Sequence, residues 1–515
     1  MSTKSFRTDV CIYGGTPGAI IAALEIARSK KSVCLVSPDL HLGGILVEGL
    51  GSQDIDNHWF RNSVAIGGLA REFYQRIGQH YGIPFAQKFE PHVAEKVFLD
   101  WLKEYEIKIV LNRFLDSCDC SSGKLRSITL ESGEVCQARL FIDGTIEGDL
   151  LKAAGVSMAW GRESNSVYGE RSNGIQKNSD YRQFRIAVDP YRVQGKPSSG
   201  VLPTIRDEAL GTPGDGDQRI MAFCFRHCLT NNKANQIPFF KPCEYDPNQY
   251  EIYRRYFAAG GASQFFSPKV KQLPNEKTDM GSWHDLSANL YGENYDYPDG
   301  SRAARKRIYQ EHLRFVKGLF YFLVTDSAVP SDVREKWTEW GLAADEFTDN
   351  EGWPRSLYIR CGRRMISDYV ITESDSDGSQ VAEDPIAVAF WPPDLHHCRR
   401  IIREGRAYNE GFVFKDKGTW KPFGVSYRSL IPKRSEGRNL LTPTCVSSSY
   451  VGYGAVRLEW TFMALGQAAG VAAVLALAED SDVQDVCYRR LKNRLLERKQ
   501  VVELDSSDAE ITLTM

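Results

Sequence analysis

The stretch VCIYGGTPGAIIAAL, residues 10–24, holds residues whose types and spacing suit the binding of a phosphate group. Gly14 permits a tight turn after a strand, and Ala19 allows close packing of helix on strand. Thr16 stands where a second glycine would let the backbone approach a pyrophosphate, and we expect its hydroxyl to donate to a phosphate oxygen instead. A helix N-terminus adds free N–H groups and a positive dipole end. A plain βαβ unit with a glycine-rich turn is the alternative. The predicted nucleotide-binding turn is Gly14, Gly15, Thr16, Pro17, Gly18 and Ala19.

Two features after the second strand indicate which kind of nucleotide cofactor binds at this turn. The strand ends in Ser37 and Pro38, and the Ser37 hydroxyl can bond a ribose hydroxyl where a carboxylate is usual. Gly43 and Gly44 follow, and a double glycine lets the backbone lie close to a flat ligand. We therefore expect a flavin rather than a nicotinamide.

The elements that must position these residues are readable from hydrophobic pattern. We expect strands at 9–13 and 33–38 around a helix at 19–29, a helix at 93–105, and a β meander over 124–141. A further strand, 138–145, ends in Asp143, Gly144 and Thr145. The strand-like NLLTPT, from residue 439, precedes a glycine-rich turn at 452–454 and a helix over about 455–478. The aromatic span 283–340 includes a helix expected to pack through Ile308, His312, Phe315 and Leu319.

Five blocks of sequence carry a family resemblance: residues 9–51, 141–170, 197–246, 294–375 and 427–473. They resemble the FAD-dependent oxidoreductases of the glutathione-reductase-like superfamily. The resemblance implies an α/β, Rossmann-type FAD-binding domain that is discontinuous, over 1–155 and 430–480. An inserted α+β substrate-binding or cap domain would span 156–429, and a C-terminal helix and tail 481–515. The resemblance also implies that Gly454 and Ala455 begin a helix aimed at the pyrimidine edge of the flavin.

Candidate catalytic residues come from the last two blocks. Asp394 and His396, in PPDLHHC, match an Asp-x-His arrangement of the family, and an imidazole suits proton transfer near neutral pH. Tyr450 replaces a histidine of the family and is a poor base because its pKa is near 10. Arg457 and Glu459 match an Arg-x-Glu pair that forms either an ion pair or part of the site. A structural role remains the alternative for His396 as well. Four further arginines suit either a substrate carboxylate, the FAD pyrophosphate or structural ion pairs: Arg226, Arg360, Arg363 and Arg364.

Composition limits the other function classes. A net charge of −2 over 515 residues gives no long-range field to attract nucleic acid or an anionic membrane. The apolar run at 466–478 is shorter than the ~20 residues of a membrane span, and no signal peptide is visible, so we expect a cytoplasmic protein. No metal site is expected, and no feature indicates an oligomeric state. His41 lies near where some flavoproteins attach FAD covalently, which is a further hypothesis.

These features predict the reaction class. No second glycine-rich βαβ unit and no CxxC follow, which disfavours a built-in NAD(P)H site and dithiol chemistry. We expect hydride transfer between flavin N5 and a small organic substrate, such as a natural product. The alternatives are a flavin monooxygenase and a flavoprotein that catalyses a non-redox isomerisation or cyclisation.

Overall fold

The first part of the chain builds one sheet and the helices that cover it. The computed structural model describes residues 5–57, 60–282, 284–416 and 418–504. The N-terminal elements are strands β1 (Ser5–Tyr13), β2 (Val33–Val36), β3 (Lys108–Val110), β4 (Leu115–Ser121), β5 (Lys124–Leu130) and β6 (Val135–Asp143), with helices α1 (Pro17–Arg28), α2 (Gly68–His80) and α3 (Pro91–Glu104).

The strand order of this sheet is β3-β2-β1-β6-β5-β4. Strands β1, β2, β3 and β6 run parallel, whereas β5 and β4 are antiparallel and form the predicted meander. Tyr13 of β1 pairs with Asp143 of β6. The turns that follow these two strands therefore lie side by side at the carboxyl edge of the sheet, where open α/β sheets bind ligands.

The middle of the chain mixes short strands and helices. A four-stranded antiparallel sheet has the order β10-β8-β11-β9. As predicted, helix α7 buries Ile308, His312, Phe315 and Leu319; Trp283, from the same aromatic span, lies outside the described residues. The elements are β7 (Met158–Ala159), β8 (His227–Thr230), β9 (Gln236–Ile237), β10 (Lys277–Met280), β11 (Gly341–Ala343), β12 (Arg364–Met365), β13 (Pro385–Ala389), β14 (Asp394–Leu395), β15 (Arg399–Arg403), β16 (Arg406–Glu410), β17 (Val413–Phe414), β18 (Phe423–Ser426), α4 (Asp149–Ala153), α5 (Asn165–Tyr168), α6 (Glu251–Ala258), α7 (Arg302–Thr325), α8 (Ser331–Thr338) and α9 (Glu373–Asp377).

The C-terminal part returns to the first sheet. Its elements are β19 (Leu440–Leu441), α10 (Tyr450–Val456), α11 (Glu459–Glu479) and α12 (Tyr488–Glu497), and residues 505–515 of the predicted tail lie outside the described residues. Strand β19 adds to the sheet in parallel with β6.

The glycine-rich turn expected at 452–454 is helical, so that prediction was wrong. A Cβ atom on Gly452 would lie 2.2 Å from the carbonyl oxygen of Ile371, and one on Gly454 would lie 2.8 Å from Leu395 Cδ2. These glycines let α10 pack closely against its neighbours. The chain bends after α10, and the long helix begins at Glu459 rather than at residue 455.

Helix α11 is the central helix of the core. With 21 residues, and a mean hydropathy of 1.8 in its most apolar window of 18 residues, it is long and apolar enough to span a membrane, which corrects the length argument made from residues 466–478 alone. However, 89% of its most apolar window is buried inside the protein. A Cβ atom on Gly466 would lie 2.1 Å from the carbonyl oxygen of Gly18, so the small residues of α11 permit contact with α1.

Two hydrophobic cores follow different boundaries from those predicted. Residues of β13 and β18 pack in the same core as α1 and α11, while α6, α7 and α8 pack in a second core. Within the segment 385–429, assigned from sequence to the inserted domain, β13 and β18 thus share the core of the sheet, whereas Ala407 of β16 packs in the second core. The division into domains itself stays a prediction.

Candidate active site

Three cavities meet at the carboxyl edge of the sheet. A narrow slot of about 120 Å³ lies between an outer pocket of about 390 Å³ and a large cavity of about 780 Å³. The slot shares Pro38, Asp39, Gly44 and Ser356 with the outer pocket, and it shares Tyr358 and Glu459 with the large cavity. The three cavities therefore adjoin one another in a row past the ends of β1, β2 and β6.

The glycine-rich turn forms one wall of the slot. Gly14, Gly15, Thr16 and Pro17 line the slot. Gly14 has φ +123°, and a Cβ atom there would lie 2.3 Å from the carbonyl carbon of Gly144, so only glycine fits. Of the other two predicted residues of this turn, Gly18 faces the carbonyl oxygen of Phe462 and Ala19 is buried against Gly144.

The Thr16 hydroxyl has a different partner from the one expected. Its Oγ1 donates to the carbonyl oxygen of Gly144 at 2.7 Å and accepts from the N–H of Ala19 at 3.3 Å as the N-cap of α1. Its single hydrogen is therefore used within the protein, and the interpretation that it donates to a phosphate was wrong. Anion binding here depends on the N-terminus of α1.

Ser37 is also turned inward. It is fully buried, its Oγ accepts the backbone N–H of Asp39 at 3.1 Å, and it lies against Gly15. The exposed carboxylate of Asp39 instead lines both the slot and the outer pocket, as Pro38 does. Asp39 thus has the position and chemistry to bind a ribose hydroxyl, which the sequence assigned to Ser37.

The double glycine is split between two roles. Gly44, with φ +52°, lines the slot beside Thr16 and Pro17. Gly43, with φ +128°, faces inward, where a Cβ atom would lie 2.4 Å from Val47 Cγ1.

His41 lines the outer pocket and not the large cavity. Its Nδ1 lies 2.6 Å from Glu95 Oε1 and its Nε2 lies 3.0 Å from Asp349 Oδ2. The hydrogen bond with Glu95 raises the pKa of His41 above its ordinary value. Both ring nitrogens are engaged by carboxylates, so neither is free to bond covalently to a flavin.

The second turn, Asp143-Gly144-Thr145, completes the slot. Asp143 is buried, accepts from the N–H and Oγ1 of Thr145 at 3.0 and 2.7 Å, and accepts from the N–H of Leu151 at 2.8 Å. Burial raises the pKa of Asp143 to about 6. Asp143 therefore shapes the turn, and Thr145 is the member that lines the slot. A Cβ atom on Gly144 would lie 2.4 Å from that of Ala19.

Four of the five predicted catalytic residues line the large cavity: Asp394, His396, Arg457 and Glu459. Arg457 Nη2 lies 3.0 Å from Asp394 Oδ2, so the ion pair forms with Asp394 rather than with Glu459. His396 Nε2 lies 3.8 Å from Asp394 Oδ1. Burial, followed by the charges of Arg360 and Arg457, lowers the pKa of His396 well below its ordinary value. The imidazole is therefore neutral at pH 7 and able to accept a proton.

Tyr450, Gly454 and Ala455 do not line any of the three cavities. Tyr450 is fully buried, with its hydroxyl 3.5 Å from the Cys398 thiol, and Gly454 and Ala455 are buried within α10. The prediction of a catalytic Tyr450 was wrong, because α10 directs its first residue into the core. The helix that reaches the slot and the large cavity is α11. Its first residue, Glu459, is one of the catalytic candidates predicted from sequence.

Comparison with known proteins identifies the family. The pattern of the family described as "FAD dependent oxidoreductase" matches residues 9–495. The chain belongs to the FAD-dependent oxidoreductase family. It is thus an FAD-dependent enzyme. A comparison with curated proteins finds no match.

Solved structures resemble parts of the chain. L-proline dehydrogenase from P. horikoshii has 12% identity and a TM-score of 0.25, over 31% of this chain and 58% of that one. A flavin monooxygenase from Stenotrophomonas maltophilia has 17% identity and a TM-score of 0.20, over 27% and 38%. L-amino acid deaminase from Proteus vulgaris has 11% identity and a TM-score of 0.24, over 32% and 53%. The matched parts thus cover less than two thirds of each of these proteins.

The residues of the slot fit FAD. Gly14 and Gly44 provide close backbone approach, the N-terminus of α1 suits a pyrophosphate, and the Asp39 carboxylate suits a ribose. The N-terminus of α11 has no side-chain cap, and Glu459, its first residue, lies where the slot joins the large cavity. Burial raises the pKa of Glu459 to about 8.

Sequence reasoning missed one residue of this FAD-dependent oxidoreductase where the slot joins the large cavity. Tyr358 lines both, its hydroxyl accepts from Arg457 Nη1 at 3.1 Å, and the guanidinium of Arg360 lies 5.0 Å from its ring centre. Tyr358 lies two residues before Arg360, in the block 294–375 that carries the family resemblance. Its position next to a candidate arginine could have indicated a place in the site.

The arginines named from the sequence differ in their side-chain partners. Arg226 binds Asp279, Arg363 binds Asp149 and Arg364 binds Glu163, so these three form ion pairs. Arg226 also lines the large cavity, as does Arg360.

Proposed function

We propose that the enzyme transfers a hydride between FAD N5 and a small organic substrate held in the large cavity, with His396 as the proton-transfer residue. The observation that carries this proposal is the position of the His396 imidazole, 3.8 Å from the Asp394 carboxylate, in the wall of a cavity that adjoins the slot. When bound, FAD supplies the two-electron acceptor or donor that the side chains of the protein lack.

The slot and the outer pocket would hold the non-reacting part of the cofactor. The turn Gly14–Pro17 and the first turn of α1 would bind the pyrophosphate, and Asp39 a ribose hydroxyl. Segment 349–356 covers the outer pocket, where Arg355 bonds both Glu48 and Asp349. These contacts would close the outer pocket around the non-reacting part of the cofactor.

Oxidation of a C–H bond beside an O–H or N–H group releases one hydride and one proton. His396 would accept the proton at Nε2, and the Asp394 carboxylate, 3.8 Å away, would stabilise the resulting imidazolium. Arg457 holds Asp394 through its 3.0 Å ion pair. In the reverse direction the same imidazolium returns the proton.

The side chain of Glu459 would favour reduction of bound FAD because it is uncharged. Because its pKa is raised to about 8 by burial, it is protonated at pH 7. A neutral acid at the junction of slot and large cavity would leave the uncapped first turn of α11 free to stabilise negative charge on bound FAD.

The experiment is anaerobic mixing of the holoenzyme with a panel of hydroxy and amino compounds, followed by the flavin absorbance. We expect at least one compound to bleach the flavin, and His396→Asn to slow bleaching by roughly 10²–10⁴-fold while FAD stays bound. His80→Asn, at the exposed end of α2, is the matched control and should behave as wild type. Bleaching as fast in H396N as in wild type would refute the role of His396. Consumption of NADPH with incorporation of oxygen into the product would favour a monooxygenase instead.

A further inference from the structure

Two guanidinium groups in the wall of the large cavity share one serine and lack a carboxylate partner. Arg360 Nη2 donates to Ser282 Oγ at 2.6 Å, and Arg182 Nη1 approaches the carbonyl oxygen of Ser282 at 3.4 Å. Both arginines and Ser282 line the large cavity. Among the described residues, neither guanidinium has a carboxylate within ion-pair distance. The protein thus brings two cationic side chains to one serine.

Arg360 is the more unusual of the two because it is 2% exposed. Its other contacts are all neutral: the carbonyl oxygen of Ala222, the thiol of Cys224 at 3.1 Å and the face of the Tyr358 ring. Its Nε is buried and has no partner among the described residues. Burial of an uncompensated cation costs free energy, which an anion bound in the cavity would recover.

Two other arginines of the same cavity, in contrast, have carboxylate partners. Arg226 makes two hydrogen bonds to Asp279, of 2.7 and 2.6 Å, and Arg457 binds Asp394 at 3.0 Å. These two charges are compensated within the protein. Arg360 and Arg182 therefore carry positive charge that no carboxylate of the described residues compensates, as does Arg185 in the same cavity wall.

The histidines of the cavity respond to the same charge. The pKa of His396 is lowered first by burial and next by Arg360, and that of His284 is lowered first by burial and next by Arg182. Both histidines line the large cavity. An anion bound beside the two arginines would also reduce this effect.

We propose that Arg360, Arg182 and Ser282 form the binding site for a carboxylate group of the substrate. This proposal rests on the proposed function, because it names the class of substrate for the same cavity. A planar carboxylate matches the donor geometry of a guanidinium. Acidic side chains such as Asp54, Asp180 and Asp285 also face the cavity, so its excess positive charge is small and suits a single carboxylate better than a phosphate dianion.

The rest of the cavity wall indicates what carries the carboxylate. Tyr181, Trp391, Phe414 and Trp460 line the large cavity together with His396. Aromatic rings bind apolar or aromatic groups through their faces. The substrate class is therefore an organic acid with an apolar body, whose reacting carbon would lie near His396.

The test is titration of the oxidised holoenzyme with benzoate, its neutral analogue benzamide and inorganic phosphate, followed by the flavin absorbance. We expect benzoate to bind at least about tenfold more tightly than benzamide or phosphate. Arg360→Gln and Arg182→Gln should each weaken benzoate binding about tenfold or more and leave benzamide binding unchanged. Arg314→Gln, on the exposed face of α7, is the matched control and should change neither affinity.

Several outcomes would overturn the proposal. They are equal binding of benzoate and benzamide, tighter binding of phosphate, or benzoate affinity that is the same in both arginine variants as in wild type. FAD content and the melting temperature show whether each variant folds, and Arg360→Lys, which keeps the charge, replaces R360Q if it does not. Because this titration involves no turnover, its result is independent of whether His396 transfers the proton.

Discussion

The hydroxyl of Thr16 donates a 2.7 Å hydrogen bond to the carbonyl oxygen of Gly144 and so joins the turn after β1 to the turn after β6. The two strands are neighbours and parallel, so the two turns lie side by side and both line the slot. The same hydroxyl caps α1 through the N–H of Ala19. One side chain thereby fixes both the width of the slot and the start of the helix that faces it.

Replacement of Thr16 tests this double role. We expect Thr16→Ala to lower the free energy of unfolding by about 1 kcal/mol through loss of the cap, and to weaken FAD binding because the two turns separate. Thr16→Ser keeps the hydroxyl and should retain both properties. Urea unfolding and FAD titration of the apoprotein measure the two effects. Equal FAD affinity in T16A and T16S would show that the bond to Gly144 does not shape the slot.

Gly14 tests the close approach of the same two turns. Gly14→Ala places a methyl group 2.3 Å from the backbone of Gly144 at φ +123°, so we expect a protein that does not retain FAD. Gly133→Ala is the matched control, since Gly133 also has a positive φ, +83°, but has open space around it. That control should lose only about 1–2 kcal/mol of stability and keep its FAD. FAD content after gel filtration decides between them, and full retention by G14A would contradict the steric argument.

The pH dependence of substrate oxidation tests the environment of His396. Because the pKa of His396 is lowered well below 6.5, its neutral form persists as the pH falls from 8 to 6.5. We therefore expect no fall in the limiting rate of flavin bleaching over this range, in which protonation of Glu459, with its pKa of about 8, acts only to raise the rate, and a fall only at lower pH, as His396 becomes protonated. A decline already between pH 8 and 6.5 would indicate a base with an ordinary pKa.

The same shift has a consequence for stability with a defined sign. The unfolded chain binds a proton at His396 below pH 6.5 more readily than the folded protein does, so stability is present above pH 6.5 and is lost as the pH falls through this window. His396→Asn should reduce the steepness of that loss in urea unfolding measured from pH 7 to pH 5. An unchanged slope would show that His396 titrates normally in the folded protein.

Lys277 is a buried cation that links the first part of the chain to the middle. Its ammonium lies 2.6 Å from Glu90, 2.8 Å from Asp345 and 2.9 Å from Glu346. Glu90, His92 and Asp345 are close enough to hold a metal ion, but the ammonium already supplies a positive charge to two of these residues.

We expect Lys277→Met to lower the free energy of unfolding by about 3–5 kcal/mol, since it leaves buried carboxylates without a counter-ion. Lys96→Met removes the exposed pair with Asp100 and should cost at most about 0.5 kcal/mol. Urea unfolding of both variants, with and without a chelator, provides the measurement. A small effect of K277M, or a large effect of the chelator on wild type, would contradict this interpretation.

The parts of the site that sequence predicts are those set by local pattern. Gly14, Gly44 and Thr145 follow strands recognisable from their apolar runs, and they line the slot as expected. The ends of α1 were also predicted to within two residues.

The parts that sequence does not predict depend on contacts between distant segments. Whether Thr16 bonds a phosphate or Gly144 depends on a residue 128 positions away. Tyr450 has a sequence neighbourhood typical of a site, and only the packing of α10 shows that it belongs to the core. The sequence alone does not distinguish the roles of Arg226 and Arg360. Only the position of Asp279 in the fold shows that Arg226 has a carboxylate partner.

The position of α11 also bears on how the holoenzyme is made. The turn at Gly14 leaves the ribosome first, whereas β19 and α11, which pack on β6 and α1, are synthesised near the end. A nascent chain that ends before residue 459 lacks the helix that joins the slot to the large cavity. A chain that ends before Glu459 is therefore expected not to retain FAD, whereas one that ends after Glu479 keeps the whole of α11.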